Sequence, residues 1–388
     1  MTESAIVYTE REDSVDAAKE LSRKLADALP GEPPDALIVF ASPRYDHAPL
    51  LSTITARCRP GVLVGGSSAG GFTNSALGEG LACALALRSS SLKFAGGIGR
   101  RLSSDRGAAA GSMVSSFKGL VETDHPYRAA LVMTDALAGH ADDLVDELTL
   151  ATSGRYQFFG GGAGDNAEFR RTPVFFGTEA ATDAAVALEI LSTKPIGIGV
   201  GHGWEPASRP MRVTEASGMR LVSLNGLPAM EAFAKHAQAT GQTLDQSSPI
   251  PFFLHNILGI DTGAGYRLRV PLAINSDGSV SCAADIPTGA IVHIMRTTEK
   301  SAIDAAARAT TTAMAGLKGN KANVALFFDC VATRLRLGDV FGFELQALAD
   351  NLGAAPFVGC NTHGQIARAE GQFGGFHNCT AVVCVLPD

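Results

Sequence analysis

The sequence predicts an α/β fold of mixed, partly antiparallel sheets covered by helices, built from repeated strand–helix–strand–glycine-corner units. Three observations carry this reading. First, a short apolar run ends abruptly in small residues three times, at Gly65-Gly66-Ser67-Ser68-Ala69-Gly70-Gly71, at Gly160-Gly161-Gly162-Ala163-Gly164-Asp165-Asn166 and at Gly359-Cys360-Asn361-Thr362-His363-Gly364. Second, each corner is preceded by the same order of strand, helix and strand. Third, each is followed by another apolar run. A strand that reaches the next strand through a loop alone pairs with it antiparallel, which argues against a simple doubly wound parallel sheet.

Asp13-Ser14 offers a cap, and Val15, Ala18, Leu21, Leu25 and Ala28 recur at helical spacing until Pro30-Gly31. Residues 36–40 read as a buried strand, 49–57 as a helix, and 62–64 as the strand entering the first corner. The order returns with a strand at 129–133, a helix at 142–150 and the second corner. It returns again with a strand at 324–328, a helix at 340–352 and the third corner. The runs after the corners, 81–87, 184–188 and 381–386, read as strands buried on both faces, although the alanine-rich second run also fits a helix. Gly197, Gly199, Gly201 and Gly203 alternate with other residues as in a strand, where glycine marks close approach of another backbone. Trp204 reads as a core anchor. A helix at 229–239 and a polar loop at 241–248 mark a boundary region.

Composition narrows the function. The 388 residues exceed one typical core, so two domains are expected. With 46% hydrophobic and 18% charged residues the chain is globular, and its 43 glycines exceed the usual ~7%. A net charge of −7 with no basic run argues against nucleic-acid binding. No apolar stretch approaches the ~20 residues that span a bilayer, so no membrane insertion is expected. Seven cysteines without a C-x-x-C pair suggest a reducing, cytoplasmic setting.

Several patterns invite chemistry. Gly66-Ser67-Ser68-Ala69-Gly70 fits G-x-S-x-G, but a nucleophile elbow needs a helix after it, and residues 71–80 show no helical pattern. Cys360 near His363, His377 and Asn378 could form a thiol site. An amide or ester hydrolase using Ser68 or Cys360 is therefore one alternative, and a protein-interaction scaffold another. Asp142 and Asp143 fall in the first turn of a helix, where acidic residues suit the macrodipole, so no metal site is expected, and no cofactor either. Backbone N–H groups in a glycine turn can cradle an anion. The candidate ligand-binding set is Gly66, Ser67, Ser68, Gly161, Gly162, Asp165, Asn166, Cys360, Asn361, Thr362, His363, Gln365, His377 and Asn378.

Taken together, these segments resemble the FIST family, a FIST N domain followed by a FIST C domain. Gly65 to Gly70 resembles its first glycine signature, and Gly161 to Asn166 its G-G-x-A-G-D segment. Gly201-His202-Gly203-Trp204-Glu205-Pro206, Val213-Thr214 and Gly226-Leu227-Pro228-Ala229 resemble the end of FIST N. Gly359 to Ile366 and His377-Asn378-Cys379-Thr380 resemble segments of FIST C, with Gln365 where the family usually carries glutamate. The resemblance implies a FIST N-like domain over 1–226, including the N-terminal helix 13–29, and a FIST C-like domain over 227–388. It further implies a stand-alone sensory protein that binds a small molecule, an amino acid or small carboxylate, and signals through a protein partner.

Overall fold

The computed structural model describes residues 1–369 and 374–388. Most of the chain is one unit used three times. The first copy runs from an edge strand, Thr2–Thr9, through helix Ser14–Ala28, inner strand Ala36–Ala41 and helix His47–Cys58 to the corner strand Val62–Ser67. A short hairpin, Gly71–Thr73 with Ala76–Gly78, then leads to the return strand Ala82–Ser89. The second copy repeats the order with Leu92–Arg100, Arg106–Val114, Tyr127–Thr134, Ala141–Ala151, Gln157–Gly162, the hairpin Val174–Phe176 with Glu179–Ala181, and Ala184–Ser192. The third does so with Gly197–Gly201, Glu299–Gly316, Ala322–Cys330, Phe341–Leu352, Phe357–Thr362, the hairpin Gln365–Arg368 with Gly375–His377, and Ala381–Pro387.

The expected mixed α/β architecture is therefore present. The alanine-rich run at 184–188, which also fitted a helix, lies in the fully buried strand Ala184–Ser192, held between Tyr127–Thr134 and Leu92–Arg100. Small side chains let it lie between two strands and under covering helices, so packing overrides alanine's helical propensity.

Each sheet has one plan. The return strand pairs antiparallel with both the edge and the inner strand, and the inner strand pairs parallel with the corner strand. The last place is filled by a hairpin from another copy. The second copy's hairpin completes the first sheet, the third copy's completes the second, and the first copy's completes the third. The inner faces of the three sheets share one core containing Phe40, Met133, Phe159, Phe328 and Val358. The outer faces are covered by the helices, each with its own apolar layer.

Gly197 and Gly199 lie against helix Glu299–Gly316. A Cβ on either would stand 1.8 Å from a helix carbonyl, Ala313 or Ala309. The alternating glycines thus allow the close backbone approach their spacing suggested. Trp204 is buried, with the Arg336 guanidinium 5.6 Å from its ring centroid.

Between the third copy's edge strand and its first helix the chain makes a separate antiparallel sheet with its own core around Phe233, Phe252 and Phe253. It includes Met211–Ser217, Arg220–Leu224, Ile257–Asp261, Tyr266–Arg269, Val280–Cys282 and Ile291–Arg296, with helix Ala229–Thr240 packed on it. Residues 226 and 227 lie within this inserted sheet, where Leu227–Pro228 pairs with Arg220–Leu224.

Candidate functional site

The three corners meet. Ala69 N–H donates to the Asn361 carbonyl at 2.9 Å, Gly164 N–H to Ser67 at 2.8 Å, and His363 N–H to Gly162 at 3.0 Å. Register makes Ala69, Gly164 and His363 equivalent, and likewise Ser67, Gly162 and Asn361, because Val39, Val132 and Phe327 lie opposite Gly65, Gly160 and Gly359. The three bonds therefore close a ring in which each corner holds the next. Glycine is needed where these backbones touch: a Cβ on Gly164 would lie 2.8 Å from Ala69 N.

The second corner carries an insertion. Gly66 to Gly71 and Cys360 to Gln365 span five positions, whereas Gly161 to Val174 spans thirteen, which leaves eight extra residues, 165–172. Asp165 organises them by accepting backbone bonds from Phe169 at 2.9 Å, Arg170 at 2.6 Å and Arg171 at 2.9 Å. The loop brings the Phe169 ring onto the His363 imidazole, 4.7 Å between centroids and 26° between planes.

This stacked pair forms part of the wall of a cavity of about 450 Å³ between the corners and the inserted sheet. Phe169, Cys330, His363 and Asn378 line it from the repeated units, and Met219, Leu272 and Cys282 from the inserted sheet. Such a volume suits a small organic molecule. His363 is only 7% exposed, neither ring nitrogen has a hydrogen-bond partner, and the nearest carboxylate oxygen, Asp165 Oδ1, is 3.6 Å away. A buried polar ring without partners costs free energy unless something supplies a bond.

The other sequence-derived candidates divide by position. Asn378 lines the cavity while its Oδ1 accepts from Val270 N–H at 3.2 Å, tying the inserted sheet to the corner. Asp165 stands one layer behind His363. Thr362 and Gln365 belong to a closed internal chain: Thr380 N–H donates to Gln365 Oε1, Gln365 Nε2 to Thr362 Oγ1, and Thr362 Oγ1 to the Asp329 carbonyl. Ser67, Ser68 and Asn361 are fully buried with side-chain polar atoms unpartnered, and Asn166 is half-buried in the left-handed region with its Oδ1 unpartnered. Gly66, Gly161 and Gly162 are points of close contact, with Met133 and Ala163, Gly364 and Thr362, and Ala136 and His363 respectively.

Neither nucleophile of the hydrolase alternative reaches the cavity. Cys360 is fully buried in the shared core, where burial and the neighbouring Cys83 push its thiol well above the ordinary range. Ser68 has no hydrogen-bonded base. Among the described residues no group of His, Cys, Asp and Glu is arranged to hold a metal ion, and no helix is long and apolar enough to cross a membrane. Phe169 and Cys330 escape a sequence reading. The first sits in a polar insertion, and the second ends an apolar strand like any core cysteine.

Burial keeps two imidazoles neutral. His363 is lowered to about 4 by burial, against the pull of Asp165. His377 is lowered to about 3 by burial and by Arg269, Arg267 and His202. In the unfolded chain each titrates near ~6.5, so that state binds protons first as pH falls. The stability from holding both rings neutral is complete above about pH 6.5 and is lost toward the folded values. Two buried carboxyls act oppositely. Asp329 is raised to about 6, chiefly by burial, and Glu344 is raised well above its ordinary value by burial and by Asp329. Their contribution is present below pH ~4 and is lost as pH rises. In His363→Asn, stability measured by urea unfolding should fall less steeply between pH 6.5 and 4, by up to about 1.4 kcal/mol per pH unit. An unchanged slope would show that the ring is not held neutral.

A FIST N domain model matches residues 35–227 and a FIST C domain model matches residues 229–368. No curated protein matches the chain. Among solved structures, a cyanuric acid hydrolase from A. caulinodans is similar over 99% of both chains, at 9% identity and a TM-score of 0.38. With both models matched in order and covering most of its length, the chain belongs to the FIST family.

Proposed function

We propose that this protein is a small-ligand sensor whose ligand occupies the cavity between the three corners and the inserted sheet. FIST domains are associated with sensory signal transduction and small-ligand binding. The observation that carries the reading is His363, a buried neutral imidazole with both nitrogens unpartnered at the wall of that cavity. A ligand that hydrogen-bonds this ring relieves the cost of its isolation.

The lining suggests the ligand's shape. Val270, Leu272 and Val331 offer an apolar bed, and the one cation among the described lining residues, Arg220, is exposed at the rim and paired with Asp277. No lining residue is a carboxylate, and Gln365 is closed within the core. An amino acid's ammonium would find no counter-charge. A molecule with an apolar body and a carboxylate or carbonyl head fits better. Because the inserted sheet and the corners share this cavity, a ligand bridging them would alter how they sit, and with it the surface offered to a signalling partner. All seven cysteines are free, which favours a reducing, cytoplasmic setting.

Thermal-shift screening with arylalkanoic acids and aryl ketones should raise Tm in the intact protein. A ligand at 100 times its Kd adds about 2.7 kcal/mol. His363→Ala should weaken binding by about 1–3 kcal/mol, roughly 5- to 150-fold, read by calorimetry. Equal affinity in the variant would place the ligand elsewhere.

A further inference from the structure

We propose that the insert 165–172 is a lid on this cavity, shut in this structure, and that a ligand gains the His363 ring only when Phe169 lifts from it. The inference rests on the cavity reading above and adds how that site is reached. The first and third corners turn into their hairpins without these eight residues, so the ring of corners does not need them. What they add is a flap with fixed ends. Asp165 and Thr172 are buried, whereas residues 166–171 are half-buried or exposed. Asp165 holds the turn at one end, and at the other the Thr172 hydroxyl donates to the Asp135 carboxylate.

Two independent features mark the shut position as one of two. The first is the covering of His363. The Phe169 ring lies against a face of the imidazole, and both ring nitrogens are buried with no hydrogen-bond partner among the described residues. Asp165 Oδ1 is 3.6 Å from Nε2, beyond bonding distance, and both Asp165 oxygens accept from N–H groups of the insert itself. A guest of the cavity therefore meets Phe169 before it meets a ring nitrogen. The second is strain. Asn166, Ala167 and Phe169 take φ of +57°, +64° and +52°, the left-handed region that residues other than glycine and asparagine avoid. The shut turn is held against its backbone preference by Asp165 and by the stack on His363, and loss of the stack lets it relax.

The lid also selects. Leu137, Phe169 and Met219 line the cavity and are each 43% exposed, so apolar side chains stand where it meets solvent. They come from three elements: the short turn Ala136–Ala138, the insert, and the hairpin that joins Met211–Ser217 to Arg220–Leu224. An aromatic guest entering between them offers Phe169 a new ring face as it leaves His363. The guest's carboxylate or carbonyl head then reaches the uncovered imidazole. A small acid without an apolar body offers Phe169 nothing in exchange, and the lid stays shut against it.

The test is carbethoxylation of histidines by diethyl pyrocarbonate in the full chain, followed by peptide mapping, with the exposed His255 and the fully buried His377 as references. His363 should react at least about tenfold more slowly than His255, and Phe169→Ala should remove most of that difference while His377 stays unreactive. Ala167→Gly, which suits the left-handed turn, should hold the lid shut and slow His363 at least about threefold further. An equal His363 rate with and without the Phe169 ring overturns the lid. If Phe169→Ala also opens His377, the fold has loosened and Ala167→Gly decides, since a His363 rate no slower than in the unchanged protein then overturns the lid. 4-Phenylbutyrate should raise Tm and protect His363, whereas butyrate should do neither; equal effects of the two overturn the selection. If 4-phenylbutyrate raises Tm but Phe169→Ala leaves the His363 rate unchanged, the cavity reading stands without a lid. If both variants behave as expected and no arylalkanoic acid or aryl ketone raises Tm, the lid stands and the ligand reading fails.

Discussion

Gly160→Ala is expected to abolish folding, with a cost above about 4 kcal/mol. Gly160 sits at φ +136°, a region that side chains rarely enter, and a Cβ there would lie 2.0 Å from the Val132 carbonyl oxygen and 2.9 Å from its carbon. The obstacle is backbone of the paired inner strand, which cannot swing aside as a side-chain tip can. The same contact recurs at the equivalent positions: 1.8 Å between a Gly65 Cβ and the Val39 oxygen, and 1.9 Å between a Gly359 Cβ and the Phe327 oxygen. Inner and corner strands are therefore locked at one point in all three sheets. Gly342→Ala is the comparator. It lies in helix Phe341–Leu352 with nothing within 4 Å of its Cβ, and should stabilise by about 1 kcal/mol. Circular dichroism and denaturant unfolding of the two variants check the contrast. A folded, cooperative Gly160→Ala protein would mean that the strand pair tolerates a shift.

Arg269→Ala should cost about 3–5 kcal/mol, the usual result of leaving a buried ion pair half empty. Arg269 is 1% exposed, yet its guanidinium donates to the carbonyls of Asp285 at 2.8 Å, Leu268 at 3.0 Å and Phe376 at 2.9 Å, and to the Asp142 carboxylate. Asp142 also accepts from Phe376 N–H at 2.9 Å and from Arg267 at 3.3 Å. One side chain of the inserted sheet thus joins the second copy's helix and the third copy's hairpin. Arg269→Lys should recover little, because a single ammonium cannot serve acceptors spread around a planar fork. Denaturant unfolding should show a lower midpoint, and limited proteolysis should cut first within 205–296. Full recovery in the lysine variant would reduce the arginine to a point charge.

Local physics made much of this legible in the sequence. Glycine after a strand marks a close backbone approach wherever it occurs, so all three corners were visible. The flanking helices announced themselves by spacing: Val15, Ala18, Leu21 and Leu25 lie on helix Ser14–Ala28, three of the four buried. What stayed hidden was long-range. The hairpin strands Gly71–Thr73 and Val174–Phe176 are three residues each, too short for a periodic pattern, and nothing in them names a partner in a different copy. Asp165 looked like a ligand group because it is acidic and follows glycines, whereas its oxygens are spent on the turn that carries Phe169. Cys330 resembled Cys384, another cysteine in an apolar strand. Only folding brings Cys379, 49 positions later in the chain (379 − 330), against the first of them.

The exchanged hairpins govern how this molecule is made. No sheet can be finished from its own sequence. The first waits for residues 174–181, the second for 365–377, and the third must recover 71–78 from the start of the chain. The first edge can close near mid-chain, but synthesis runs almost to its end before the other two are closed, and their assembly is a late, slow event dominated by contacts distant in sequence. A lone copy, cut free, would carry one unpaired edge and one unhoused hairpin, which is what makes a ring of three identical chains close on itself. The pattern is that of a closed ring of three units carried on one chain, so that the three corners need not be alike.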